Sequence, residues 1–193
     1  NTTRGLLRSN NIAPVDIYAN QWALIIGINK YREFPQLKYA VEDAISMKTL
    51  LTTQYGFPEE NILLLTDDDA TKDGIEDALY TMVEKTKSED AVIVFFAGHG
   101  ETHKMPGSDE DLGYLIPIDG KIRNLPRTAL SMKSINIRSN EIPAKSMLFL
   151  VDACYGGLAA VGQYRSDRKL DIVKGLTKDR CRQIITAGKK EEQ

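Results

Sequence analysis

The chain has 193 residues, 25 of them Lys or Arg and 27 Asp or Glu, for a net charge of −2. With 42% hydrophobic and 27% charged residues it has the composition of one ordinary globular domain, large enough to bury a core without a disulfide or metal staple. The charge balance holds no cationic excess to neutralise phosphates, which argues against nucleic acid as a partner. No apolar run approaches the roughly 18 residues of a membrane-crossing helix.

Residues 1–21 are polar with scattered apolar positions and Pro14, and read as an N-terminal arm ahead of a domain over residues 22–193. Trp22 to Ile28 is a continuous apolar run, the pattern of a strand covered on both faces. Ala40, Ala44, Met47, Leu50 and Leu51 recur at helical spacing, with Gly56 where the helix should stop. Asn61 to Leu65 reads as a second strand, and Asp67-Asp68-Asp69 as a turn. Thr71 is placed to cap a helix whose apolar face is Ile75, Ala78, Leu79, Met82 and Val83.

Ala91 to Ala97 gives the clearest strand. Residues 98–133, rich in Gly, Pro and charge, read as loops with a small hairpin. Ser146 to Val151 is a fourth strand and Gln183 to Thr186 a weaker fifth. Strands alternating with helices predict an α/β fold, a three-layer sandwich with a mostly parallel sheet between helices. Right-handed crossovers then bring the carboxyl ends of the strands to one edge, where such sheets bind ligands.

Two motifs fall on that edge. Ala97-Gly98-His99-Gly100 follows the third strand, and Asp152-Ala153-Cys154-Tyr155-Gly156-Gly157 follows the fourth. A lone Cys at a strand end is usually a small hydrophobe, and a lone His in a loop is usually structural. A thiol and an imidazole, each with glycine close by and each following a buried strand, instead read together as a nucleophile and its general base. Glycine leaves room for a substrate backbone, and the N–H groups of Gly100 and Cys154 are candidates to hold a developing oxyanion. His99 and His103 flanking Glu101 do not form a zinc site of the helical type, because glycines break the local helix and no third ligand is evident. Gly27 lacks the companion glycines of a dinucleotide-binding loop.

These residues resemble the caspase and metacaspase superfamily of cysteine peptidases, in particular bacterial caspase homologues. Asp152-Ala153-Cys154-Tyr155-Gly156 has the shape of the nucleophile motif, and His99 lies 55 residues before Cys154, close to the family spacing. Phe95-Phe96-Ala97-Gly98-His99-Gly100 is similar to the metacaspase His motif. Further likenesses are Ile28-Asn29-Lys30-Tyr31, Glu42-Asp43-Ala44 and Gly113-Tyr114-Leu115-Ile116-Pro117 with Asp119. The resemblance runs from about Trp22 to Ala187 and implies a caspase-like fold and a cysteine endopeptidase with a Cys-His dyad.

The resemblance also implies a specificity. Animal caspases carry Gln where this chain has Asp152; metacaspases carry Asp there and a second Asp in the helix after the first strand, matched here by Asp43. Two carboxylates lining one pocket would select Arg or Lys on the acyl side of the scissile bond through charge-assisted hydrogen bonds. Tyr155 and Gly156 stand where metacaspases often have His and Ser, neither of them nucleophile or base. The family has six strands and this sequence shows five, so the chain reads as a large-subunit-like portion whose partner would be its own C-terminal small-subunit segment.

The basic stretch from Gly162 to Arg182 matches a loop often cut during maturation, which suggests self-processing. Protein or peptide is the implied substrate. No cofactor is required. Calcium, which activates some metacaspases, is an alternative for the runs Asp67-Asp68-Asp69 and Asp109-Glu110-Asp111, although neither has the spacing of an EF-hand loop. Two cysteines, Cys154 and Cys181, are too few for a secreted disulfide scaffold and point to a cytoplasmic setting, with Cys181 a packing residue. The chain begins with Asn1 rather than Met and reads as a piece of a longer protein. The rival reading is a non-enzymatic module that keeps the fold and signals by binding.

Overall fold

The computed structural model describes residues 18–104, 111–153 and 180–187. In chain order these form β1 (Gln21–Gly27), α1 (Ala40–Tyr55), β2 (Ile62–Thr66), α2 (Lys72–Lys85), β3 (Ala91–Ala97), β4 (Gly100–Lys104), β5 (Asp111–Leu115), α3 (Leu125–Thr128), β6 (Leu130–Ser131), α4 (Met132–Glu141), β7 (Ser146–Asp152) and β8 (Cys181–Ala187). The main sheet has the order β2-β1-β3-β7-β8, with every pair parallel. A smaller antiparallel sheet, β4-β5-β6, leaves the end of β3.

Side chains alternate across a strand, so one apolar run feeds two cores. Ala23 and Ile25 of β1 and Phe95 of β3 pack with Ala40, Ala44 and Leu51 of α1. Leu24 and Ile26, with Val92, Val94 and Phe96, pack on the other face with Ile75, Leu79 and Met82 of α2 and Met132 and Ile135 of α4. Helices on both faces explain why β1 and β3 show no polar alternation.

Gly27 permits the close approach of α1, since a Cβ there would lie 2.4 Å from the Ala40 carbonyl oxygen and 2.6 Å from Ala44 Cβ. Gly56 ends α1 in the left-handed region at φ 71°. Thr71 Oγ1 accepts the Gly74 N–H at 3.0 Å and caps α2.

At the amino-terminal edge of the sheet, Asp90 is 1% exposed. Its carboxylate accepts hydrogen bonds from Asn20 Nδ2 at 2.9 Å, Trp22 Nε1 at 3.2 Å and the Lys87 N–H at 2.9 Å. Its carbonyl accepts from the Lys145 N–H at 2.9 Å, tying the entry of β7 to that of β3. Arg182 secures β8 to the end of α4. Its guanidinium donates to the carbonyls of Ser139, Ile142 and Ala144 at 2.8–3.0 Å, and burial lowers its pKa.

The expected strands are present in the expected order, and the hairpin expected within residues 98–133 is β4–β5. The helix α4 is absent from the sequence reading because its apolar stripe is thin: Met132, Ile135 and Ser139 are buried while Ile137 is 54% exposed. Strand β8 runs seven residues rather than four; Gln183 to Thr186 are exposed, so burial leaves little hydrophobic signature there. Among the described residues no helix is long and apolar enough to cross a membrane.

Candidate active site

Strands β3 and β7 are neighbours, with Ala97 opposite Asp152 at their carboxyl ends. The Gly98 N–H continues the ladder, donating to the Asp152 carbonyl at 3.2 Å. His99 and Cys154 are thus each two positions beyond a matched pair of strand ends. Cys154 lies outside the described residues; Ala153, just before it, is 3% exposed.

His99 is gripped on several sides. Its N–H donates to the Tyr31 hydroxyl oxygen at 2.8 Å, and its carbonyl accepts from the Ile116 N–H at 3.0 Å. Its Nε2 lies 2.7 Å from the Pro35 carbonyl oxygen. A carbonyl only accepts, so Nε2 carries the proton and Nδ1 of the neutral ring keeps the lone pair. The imidazole also packs against Tyr31, with centroids 4.6 Å apart, and Phe34, at 5.8 Å.

Tyr31, Phe34 and Pro35 all belong to the loop between β1 and α1, which polar contacts fix. Asn29 Nδ2 donates to the Lys38 carbonyl at 3.4 Å and Glu42 Oε2 at 3.3 Å, while its Oδ1 accepts the Val41 N–H at 3.4 Å. Asp67 Oδ1 accepts the N–H groups of Asn29 and Lys30 at 2.8 and 2.9 Å. Asp67 itself sits at φ 41°, a left-handed conformation that Asp tolerates better than most residues. Its carboxylate therefore braces the loop. Asp109 and Glu110 of the other acidic run lie outside the described residues.

Gly100 opens β4 opposite Leu115. Because the Ile116 N–H bonds the His99 carbonyl, the next pair, Gly100 with Leu115, is a non-bonded pair of the antiparallel ladder, and the Gly100 N–H turns away from β5. The N–H is thereby left for another acceptor.

A cleft of about 430 Å³ opens beside this edge, lined by Asp43, Ser46, Met47, Leu50, Phe95 and Asp152. The four residues from α1 stand at i, i+3, i+4 and i+7, one face of the helix. Asp43 and Asp152, from different elements, thus line one cavity, with an apolar wall beside them. The helical spacing placed Leu50 among core positions, yet it is 42% exposed and belongs to the cleft.

Residues 20–191 match the family described as Caspase domain. The chain belongs to the caspase domain family. This is a family of cysteine peptidases, in keeping with the resemblance noted in the motifs around His99 and Cys154. Metacaspase-1 of Eremothecium gossypii is 30% identical over 72% of this chain and 32% of its own length. Metacaspase-6 of Arabidopsis thaliana is 39% identical over 50% of this chain and 29% of its own length. The chain spans about a third of the length of these two metacaspases. The solved structure of protein GSU0716 from Geobacter sulfurreducens superposes with a TM-score of 0.60 at 19% identity, covering 72% of this chain and 52% of that one, and shares the fold.

Reading the sequence singled out the Tyr31 motif without a role and missed Phe34, Pro35, Ser46 and the outward face of Met47 and Leu50. Pro35 acts through its carbonyl, which no side-chain pattern reports. Leu50 could have been found seven positions after Asp43, on the same helical face.

Proposed function

We propose that this caspase domain carries a cysteine endopeptidase with a His99–Cys154 dyad, cutting after Arg or Lys and acting on its own basic segment as well as on other proteins or peptides. The observation that carries the reading is the engagement of His99 Nε2 by the Pro35 carbonyl, which leaves Nδ1 as the base at the strand edge leading to Cys154. The dyad reaction needs no cofactor, because base, nucleophile and amide donors all come from the chain.

In the reaction, Nδ1 of His99 takes the thiol proton of Cys154, and the thiolate forms a C–S bond to the scissile carbonyl carbon. The N–H groups of Gly100 and Cys154 stabilise the oxyanion. The imidazolium returns its proton to the amine nitrogen as the C–N bond breaks, leaving a thioester. Water then attacks the thioester, giving its proton to His99, and the acid and free thiol are released.

The cleft supports basic specificity. Asp43 and Asp152 meet the cationic head of the side chain, and Met47, Leu50 and Phe95 cover its methylenes. Both carboxylates are exposed, so solvent moderates each. Asp43→Asn should lower kcat/KM for an Arg-ending fluorogenic peptide by roughly 5- to 30-fold, or about 1–2 kcal/mol. A citrulline-ending peptide, uncharged but similarly shaped, should change little. Cys154→Ala and His99→Ala should abolish cleavage with folding retained. Equal loss on both peptides in Asp43→Asn, or preferred cleavage after Asp, refutes the acidic-pocket reading. Stored wild-type and Cys154→Ala protein both remaining full-length by intact mass, differing only by the substituted sulfur, would refute self-processing at the stretch from Gly162 to Arg182, of which residues 162–179 lie outside the described residues.

A further inference from the structure

We infer that Tyr31 is a positioning residue for the base, acting through its hydroxyl oxygen on the backbone of His99, with Gly98 as the space that admits it. The inference rests on the assignment of His99 as the base and concerns what sets that base in place.

The contact is a long-range one: Tyr31 and His99 are 68 residues apart, and their bond joins the β1–α1 loop to the turn after β3. The Tyr31 side chain is 4% exposed, and its oxygen accepts the His99 N–H at 2.8 Å. An amide at the mouth of a sheet has water as its usual partner; here a buried phenol takes its place and fixes where the His99 Cα stands. The same ring lies 4.6 Å from the imidazole, so one residue constrains both the backbone and the side chain of the base.

Gly98 is part of this device. A Cβ at Gly98 would lie 2.4 Å from the Tyr31 hydroxyl oxygen, and 3.0 and 3.1 Å from ring carbons of Phe96. The phenol oxygen is thus the nearest obstacle to any side chain at that position. Burial raises the Tyr31 pKa, an effect the His99 N–H partly offsets and the negative charge of Asp67 adds to. The phenol therefore stays neutral at working pH and acts on His99 by position. Asp67, bonding the Lys30 N–H next door, holds the loop that presents it. Misplacing a general base by a fraction of an ångström slows proton transfer without changing how substrate binds, so the expected signature falls on kcat.

The test uses steady-state kinetics on an Arg-ending peptide, with active sites counted by an irreversible thiol-directed inhibitor so that kcat refers to folded enzyme. Wild type and His99→Ala come first; activity that survives in His99→Ala overturns the dyad reading and this inference with it. Given His99-dependent activity, Tyr31→Phe keeps the ring and removes the oxygen. It should lower kcat on the order of 10-fold with KM within about twofold. Unchanged kcat with a lowered melting temperature would make Tyr31 a packing residue, overturning the inference and leaving the dyad intact.

Gly98→Ala supplies an independent arm. In the Tyr31 background it should reduce kcat by about 10-fold or more, and in the Tyr31→Phe background it should cost markedly less, because the colliding oxygen is gone. Losses that simply multiply would show that the two positions act separately and would overturn the device.

Discussion

Removing the Asp90 carboxylate should weaken the whole sheet from the edge opposite the candidate active site. Asp90→Ala takes away the acceptor of three hydrogen bonds, from Asn20 Nδ2, Trp22 Nε1 and the Lys87 N–H. Hydrogen bonds to a buried charge are worth about 1.5–3 kcal/mol each. All three donors are only part-buried, so water recovers some of each loss and about 1 kcal/mol apiece is the better figure. The expected cost is therefore about 3 kcal/mol, which for a chain of this size lowers the melting temperature by roughly 6–12 °C. Urea titration followed by tryptophan fluorescence measures this directly, since Trp22 is the single tryptophan and is itself a donor to Asp90. Asp90→Asn keeps one acceptor oxygen but turns an NH2 group toward donors, and should fall between wild type and Asp90→Ala. A loss below about 1 kcal/mol in Asp90→Ala would refute the assignment of this carboxylate as a structural hub.

Stability should also fall in alkali for a reason that Tyr31 reports. Burial raises its phenol above the ordinary value of about 10. Below pH ~10 the phenol is protonated in both states, and stability is unaffected; above it the unfolded chain releases a proton the folded chain retains, so stability falls by about 1.4 kcal/mol per pH unit. Tyr31→Phe should remove that part of the slope in urea melts, leaving a residue from Tyr114, also raised by burial; an unchanged slope would contradict it. Gly27→Ala should destabilise by about 1–3 kcal/mol, because its Cβ meets the backbone oxygen of Ala40 at 2.4 Å and only a shift of α1 relieves it. That helix carries Asp43, so KM for an Arg-ending peptide should rise as well, and a thermal melt within 1 °C of wild type would refute the crowding.

Much of the architecture is legible in the chain itself. Ala91 to Ala97 has no polar position for water to face, so it must be a covered strand, and Gly56 and Thr71 mark helix ends because backbone geometry and orphan amides demand such residues there. His99 and Cys154 stand out in the sequence as candidates because each follows a buried strand with glycine close by. The thin stripe of α4 escaped and β8 was read short, as Gln183 to Thr186, since hydrophobic periodicity reports burial and neither element buries much. What the sequence by itself determined is the order of the covered strands and that His99 and Cys154 each follow one of them. Only the tertiary structure decided that Pro35 lends a carbonyl to His99, that Tyr31 accepts its amide across 68 positions, and that Asp43 shares a cleft with Asp152. Each of these is a meeting of groups distant in the chain, and a one-dimensional pattern encodes neither the register of β3 against β7 nor the path of the loop that brings them together.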